Sequence, residues 1–367
     1  MKKILFLLIV IISQNINAQE LALIVEKGKT GYINKKGEFA IQPRFDAGRN
    51  FSEGLVAVRE GKLWGFVDDF GNWIIQPSLD NAKEFNNGIA LVEKDKNWRY
   101  IDKSGNFLEM PLSDKLYEFN QGVAFIRKGN KVGLINADLK IIAEPQYDAI
   151  KPFENGYAKA SINKKWGIVN LKGEVVVNFE YDEIGDFYKN VTWAKSNNIY
   201  GLVIGNNFKQ LEYVEKIWDF ASDVAYVKKG GKIGFINMTG DWIIEPKFDK
   251  ARAFSENLAP IAIGNKWGYI DGSGNFVVEP KYSDAEVFSK DGLAPVKTKN
   301  WGFINKKGDL IISDEYDISV NFAIGEKNKG FINGISRVKK NGKWGFIDTT
   351  GKLLGNKWFD NAELFSK

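Results

Sequence analysis

The chain contains no cysteine and no histidine among its 367 residues. Without Cys there is no disulfide, so the fold must rest on its own core even in an oxidising compartment. A lipid-modified Cys of the kind that tethers bacterial lipoproteins is likewise not expected. Without His, Ser-His-Asp and Cys-His catalysis and the usual zinc sites are excluded. Charge of one sign is also scarce: 51 Lys and Arg stand against 46 Asp and Glu. That near-balance, with no concentrated basic cluster, gives no case for a nucleic-acid partner.

Long apolar runs are missing with one exception, Ile4 to Ile12. It follows Lys2 and Lys3 and precedes the polar "SQNINAQ". Nine apolar residues are too few for the ~20 that a membrane helix needs. Residues 1–18 therefore read as a secretory signal peptide cleaved near Ala18, the alternative being an uncleaved anchor. The expectation is an exported chain, periplasmic or extracellular, with no membrane span and a net charge that falls from +5 to +3 on loss of the two lysines.

Aromatic residues, by contrast, are abundant: 26 Phe, 13 Tyr and 11 Trp. They recur in register. The string "KNWGFINKKGDLII" at 299–312 has close copies throughout, and alignment on its glycine gives Gly31, Gly65, Arg99, Gly133, Gly167, Gly201, Gly234, Gly268, Gly302 and Gly345. The period is 34 residues, with one step of 33 and a last step of 43. Ten units follow: 20–53, 54–87, 88–121, 122–155, 156–189, 190–222, 223–256, 257–290, 291–333 and 334–367. The repeat-defining residues are Trp64, Gly65, Trp98, Trp166, Gly167, Trp267, Gly268, Trp301, Gly302, Trp344 and Gly345. A Phe column (Phe51, Phe85, Phe119, Phe153, Phe187, Phe220, Phe254, Phe288, Phe322, Phe365) keeps the same phase. So do a Pro column (Pro43, Pro77, Pro111, Pro145, Pro246, Pro280) and an Asp column (Asp46, Asp80, Asp114, Asp148, Asp182, Asp249, Asp317, Asp360). Unit six breaks most columns.

Helical arrays share this period, but "GLVAVREGKLWGFVDDFGNWIIQP" alternates by two and is broken by Gly and Asn every six or so residues, which specifies a β-meander. Each unit reads as three short strands. Strand A, such as 54–58, leads through a two-residue turn that tolerates positive φ. Strand B, such as 63–68, carries the Trp-Gly pair. An Asn/Asp-x-x-Gly turn follows. Strand C, such as 72–77, is expected to end at Pro, with a loop or short helical turn from Asp80 to Phe85. Both faces of "WGFI" are apolar, so strand B is expected between neighbouring sheets, with Gly as a shallow spot for a neighbour's aromatic ring.

The motifs "KWGFIDTTGKLL", "KWGYIDGSGNFVVEPKYSD" and "GLAPVKTKNWGFIN" resemble the bacterial WG-repeat proteins over essentially all of residues 20–367. The resemblance implies a β-rich binding or interaction module and carries no catalytic residues. Units one, four, six and seven lack the Trp (Thr30, Val132, Tyr200, Ile233), and unit three has Arg99 in place of Gly. The expected fold is all-β, a tandem array of ten ~34-residue meanders. The phase of the termini favours an open superhelix over a closed propeller. The 43-residue unit nine carries an insertion near 323–333 that reads as an extra hairpin.

The Asp column could present a row of carboxylates to a cation; the competing reading is a turn or cap after strand C. "DGSGN" (271–275) and "DKSGN" (102–106) are similar to calcium loops but have too few aligned oxygens. Lys62, Lys96, Lys164, Lys165, Lys266 and Lys299 cluster at hairpin turns, either as a stripe for an anionic partner or as a solvated edge. Trp193, Trp218 and Trp358 lie outside the core columns and are the candidate ligand contacts. No cofactor and no metal are expected. The function that follows is a monomeric, non-enzymatic binding or scaffold module for a protein or glycan partner in the envelope or outside the cell. The alternative is a carboxylate-based polysaccharide hydrolase, or a glycan-binding accessory protein; a hydrolase would need a unique pair of acids.

Overall fold

A computed structural model describes residues 19–317 and 330–367. The expected signal peptide, Phe322 and residues 323–329 of the insertion lie outside the described residues. Among those described, the structure is all-β, a tandem series of ten small antiparallel sheets, none closed into a barrel. Among the described residues a 3-10 turn at Leu354–Asn356 is the one helical element.

Each sheet is offset from the sequence unit. Sheet two runs Ala47–Gly48, Val56–Glu60, Leu63–Val67, Trp73–Leu79, in that order. Its lead strand comes from the segment that follows Asp46 in unit one. The stretch expected as a loop or helical turn is thus extended and pairs with strand A of the next unit: Ala47 faces Arg59, and Gly48 faces Val58. Its residues sit beside an open strand edge, which takes the backbone groups that a short helical turn would leave unpaired.

The offset decides what happens at the chain ends. The lead segment of unit ten is Asn361–Ser366. It pairs with strand A of unit one, Leu21–Glu26, to complete sheet one. The Asp360 N–H donates to the Val25 carbonyl at 2.8 Å, and the Glu53 N–H to the Lys367 carbonyl at 2.8 Å. Apolar cores confirm the circuit. One cluster lies between each pair of successive sheets, as in Tyr32, Phe45 and Phe51 against Val56, Val58 and Val67. The tenth joins Trp344, Phe346 and Phe359 to Ala22, Ile24 and Ile33. Ten sheets in an open row would share nine such cores, so the array closes into a ring of propeller type. This differs from the open superhelix favoured by the terminal phase. That phase counts strands A to C as one sheet and so misses the strand that each unit lends to the next.

The Trp-Gly pair also has a different reason from the expected one. Strand B is covered on both faces: Trp301, Gly302, Phe303 and Ile304 are all buried. But the space at Gly302 is taken by its own sheet, not by a neighbour's ring. Trp301 faces Tyr316, and Phe303 faces Ile312, so two residues of strand B span four of strand C. Strand C bulges and arches over the glycine. A Cβ on Gly302 would lie 2.6 Å from the Ile312 carbonyl oxygen and 2.9 Å from the Asp314 nitrogen. At Gly31 the crowding atoms are Pro43 N at 2.6 Å and Ile41 O at 2.7 Å. Where a ring does approach, as Trp73 at Gly65 or Trp242 at Gly234, it belongs to strand C of the same sheet. The arch also explains the Pro column. Strand C runs on through Pro43 to Phe45, because Pro sits in the bulge, where no ladder donor is required.

The Phe column closes the cores from the turn side. Tyr32 meets Phe51 at 5.0 Å between ring centroids, Tyr269 meets Phe288 at 5.0 Å, and Phe346 meets Phe365 at 5.0 Å. In unit nine Phe331 makes this contact, 4.9 Å from Phe303; Phe322 lies outside the described residues. Such edge contacts add about 0.5–1.5 kcal/mol each beyond area burial.

Two outcomes test this account. Gly302→Ala drives a Cβ into backbone that cannot swing aside and should cost about 1–3 kcal/mol in denaturant unfolding. Gly272→Ala, with nothing within 4 Å of the added carbon, should be near neutral; equal midpoints for the two variants would contradict the arch. Removing residues 361–367 leaves Leu21–Glu26 as an open apolar edge. The shortened chain should melt lower and associate with concentration in light scattering, whereas an open array would be indifferent to the loss.

Candidate binding groove at unit three

Unit three shows what the Trp-Gly rule permits by breaking it. Arg99 occupies the anchor position, so a side chain stands where the other units have only a hydrogen, and its guanidinium lies 5.1 Å from the Phe107 ring. Strand C is accordingly missing from sheet three, which holds Asn81–Asn86, Ile89–Lys94 and Asn97–Ile101. What remains of the pairing is a bridge between Ile101 and Phe107 and a bond from the Leu108 N–H to the Tyr100 carbonyl. The chain then swings outward, leaving Leu112 fully exposed.

A second substitution compounds the first. Fourteen residues after the anchor, the other bulged units place a large buried side chain opposite the residue before the glycine. Phe45 faces Thr30, Tyr147 faces Val132, Tyr181 faces Trp166, and Tyr282 faces Trp267. In unit three that position is Ser113. Its hydroxyl turns away, donating to the Lys115 carbonyl and accepting from the Arg127 N–H. A groove of about 590 Å³ opens between sheets three and four. Leu91, Trp98, Asn97, Leu116 and Tyr117 line it with Lys83, Lys96, Lys115, Asp114 and Glu118.

Trp98 is the exposed tryptophan of the described residues, at 37%. Trp267, Trp301 and Trp344 are 6–8% exposed. The other Trp-Gly rings are also capped by cations: Arg49 stands 5.2 Å from the Trp64 ring, Arg252 4.6 Å from Trp267 and Arg337 4.7 Å from Trp344. Among the described residues no cation caps Trp98. Lys83, in the position of Arg49, pairs instead with Glu118 at 3.1 Å. Trp98 counts in the sequence as a repeat-defining core residue. The signals that mark it as something else are Arg99 and Ser113, two departures in one unit.

The other candidates fall elsewhere. Trp193 and Trp218 come together through Asp219: the Trp193 Nε1–H donates to the Asp219 carboxylate at 2.8 Å, and Trp218 stacks on Tyr226 at 4.6 Å. Trp358 lies in sheet ten against Gly345. All three are half-buried, and the structure does not gather them into one surface.

The Asp column joins hairpins. Asp46 accepts from Lys29 Nζ at 2.6 Å, in the hairpin of its own unit, and from the Gly61 N–H at 2.7 Å, in the next. Asp148, Asp182 and Asp249 repeat this with Lys131, Lys165 and Lys232. Asp360 carries it across the closure, from Lys343 to the Lys27 N–H at 2.8 Å. In unit six Glu215 takes the role, accepting from the Gly231 N–H at 2.7 Å. The turn aspartates are likewise engaged. Asp271 accepts from the Ser273 and Asn275 N–H groups, and Asp102 from those of Ser104 and Asn106. Among the described residues no cluster of three or more acids could hold a metal ion. Of the hairpin lysines, Lys165 is paired with Asp182, Lys96 borders the groove, and Lys62, Lys164, Lys266 and Lys299 are exposed.

The lysine hydrogen bond, then the backbone one, holds Asp46, Asp148, Asp182 and Asp249 below the usual carboxylate range; Asp360 is lowered by Lys343 and the Lys27 N–H. A depressed folded pKa gives stability that is present above the unfolded value, near 3.8, and is lost as pH falls through the folded values. The melting temperature should therefore hold between neutrality and about pH 5 and decline below about pH 4. Asp249→Asn should flatten part of that decline, as followed by circular dichroism.

Small sheets closed in a ring, with sheet three lacking its third strand, strand C, beside an exposed Trp, define a β-repeat ring protein with a surface groove. The sequence profile described as "WG containing repeat" matches residues 31–64, 64–98, 98–131, 133–166, 166–200, 233–267, 267–300, 301–322 and 329–344. The chain belongs to the WG-repeat family. The unmatched interval between 200 and 233 covers most of unit six and the start of unit seven. No curated protein matches the chain. Among solved structures, a eukaryotic initiation factor is similar over 95% of this chain and 98% of its own, at 12% identity and a TM-score of 0.47. Kluyveromyces lactis Hsv2p covers 65% of this chain and 89% of its own, at 12% identity and 0.34. The tricorn protease covers 92% and 44%, at 12% and 0.24. Among the described residues no helix is long and apolar enough to cross a membrane.

Proposed function

We propose that the protein is an exported, monomeric, non-enzymatic binding module that holds a protein or glycan partner in the bacterial envelope or outside the cell. The observation that carries this reading is the groove at unit three. Among the described tryptophans Trp98 alone is exposed, at 37%, and it stands in a polar-rimmed hollow of ligand size. Export is supported by the charged and apolar pattern of residues 1–18.

The hydrolase alternative would place its acids here, since Asp114 and Glu118 both border the groove. Each already has a structural task. Asp114 accepts from the Gly129 N–H at 2.6 Å, and Glu118 pairs with Lys83. Asp114 belongs to the repeated Asp column, and Glu118 is held in an ion pair, so the two are not a pair set apart for acid and base work.

Trp98→Ala should abolish partner binding in calorimetry with a change in melting temperature of a degree or two, because the ring is exposed. Trp344→Ala should destabilise by about 3–5 kcal/mol, as truncation of a core aromatic does. A partner that binds the Trp98→Ala protein undiminished would remove the groove from consideration. Release of reducing ends from envelope polysaccharide that is lost in Asp114→Asn would favour the hydrolase.

A further inference from the structure

We infer that the groove takes an extended peptide segment, which places an aromatic side chain where Ser113 leaves a gap and pairs its backbone with Trp98. The inference rests on the binding-module reading above and names its ligand class.

The other units supply the template. In sheet ten the Trp344 N–H donates to the Phe359 carbonyl at 2.9 Å, and the Phe359 N–H donates to the Trp344 carbonyl at 2.7 Å. Trp98 sits at the same point of its hairpin. Lys94 and Asn97 form the closing pair, and Trp98 faces Glu93 one step on. In an antiparallel ladder that step is the non-hydrogen-bonded pair, so the backbone groups of Trp98 point away from strand A. Elsewhere strand C meets them. Among the described residues no backbone group does so at Trp98. An exposed strand edge beside a side-chain pocket is the geometry that peptides use to add a strand.

The missing ring defines the side chain. Phe45, Tyr147, Tyr181, Phe248, Tyr282 and Tyr316 fill this position in other units and are 1–6% exposed there. Arg99 defines the path. A ligand strand cannot arch over it and must run straight, and the Tyr100 carbonyl is already taken by Leu108. The added pairing is therefore short and centred on Trp98. Charge defines the flank: Lys83, Lys96 and Lys115 outnumber Asp114 and Glu118 along the lining, which favours an acidic residue beside the aromatic. The protein's own third strands have that character, as in Glu144-Pro145-Gln146-Tyr147. A sugar ring would also stack on Trp98, but the paired donor and acceptor of one strand residue match a peptide backbone.

The test uses the full chain and a capped peptide copying residues 141–148, IIAEPQYD, titrated by calorimetry against the same peptide with Ser in place of its Tyr. The Tyr peptide should bind at least about tenfold more tightly, a difference worth about 1.4 kcal/mol. Ser113→Tyr should fill the gap from within and weaken the Tyr peptide by a similar factor while the melting temperature holds or rises. Should that variant misfold, the peptide pair alone decides, since it leaves the protein untouched. Equal affinity of the two peptides overturns the inference, as does undiminished binding to a folded Ser113→Tyr protein. Binding of linear oligosaccharides that depends on Trp98, with no peptide binding, overturns it and leaves the binding-module reading standing. Binding of neither class overturns both.

Discussion

A single missing carbon atom organises this molecule. At the anchor glycine, strand C passes so close over strand B that a Cβ has no place. The crossing sends strand C through a bulge, brings a large side chain to face the residue before the glycine, and aims the chain at the next sheet. Trp and Gly are adjacent because one fills the space between sheets while the other leaves room within its own. In unit three, with Arg99 at the anchor, strand C is reduced to the Ile101–Phe107 bridge.

From that crossing the ring follows. In most of the described units the last segment joins the next sheet as a lead strand, and each core is shared by two sheets. The tenth segment finds unit one, and the last core, Trp344 and Phe346 against Ala22 and Ile24, is built like the other nine. The Asp clips repeat the circuit in charge and hydrogen bonds. They lie in solvent, where ion pairs are screened and add little. Their part is to set the spacing of adjacent hairpins, while buried aromatic and aliphatic side chains supply most of the stability.

Function in such a ring is best sought where the repeat fails. Columns that recur in every unit answer to the fold. Arg99 and Ser113 do not recur, and together they leave one strand edge unpaired, one ring uncovered and one gap of aromatic size. The proposed peptide site is the repeat's own packing arrangement with one participant removed.

Much of this was legible in the residues. The period, the units, the strands, both turn types and the burial of strand B follow from alternation, Gly and Asn placement, and the recurrence of large aromatics, all of which are local. The Asp-x-x-Gly turns form as read, with Asp102 and Asp271 bonded to the backbone two and four residues on. Three features were not legible: the arch over the glycine, the lead strand that each unit lends, and the closure. Each depends on which backbone lies beside which, and a one-dimensional pattern is silent on that. Trp98 was hidden for the same reason. Its own identity is that of a core residue, and its exposure comes from the absence of a partner fifteen positions away in the chain. The sequence by itself determined the repeating element, because hydrophobic alternation and turn chemistry act over a few residues. The tertiary structure alone decided the ring and the groove, because both are set by packing and hydrogen bonding between segments that the chain holds far apart.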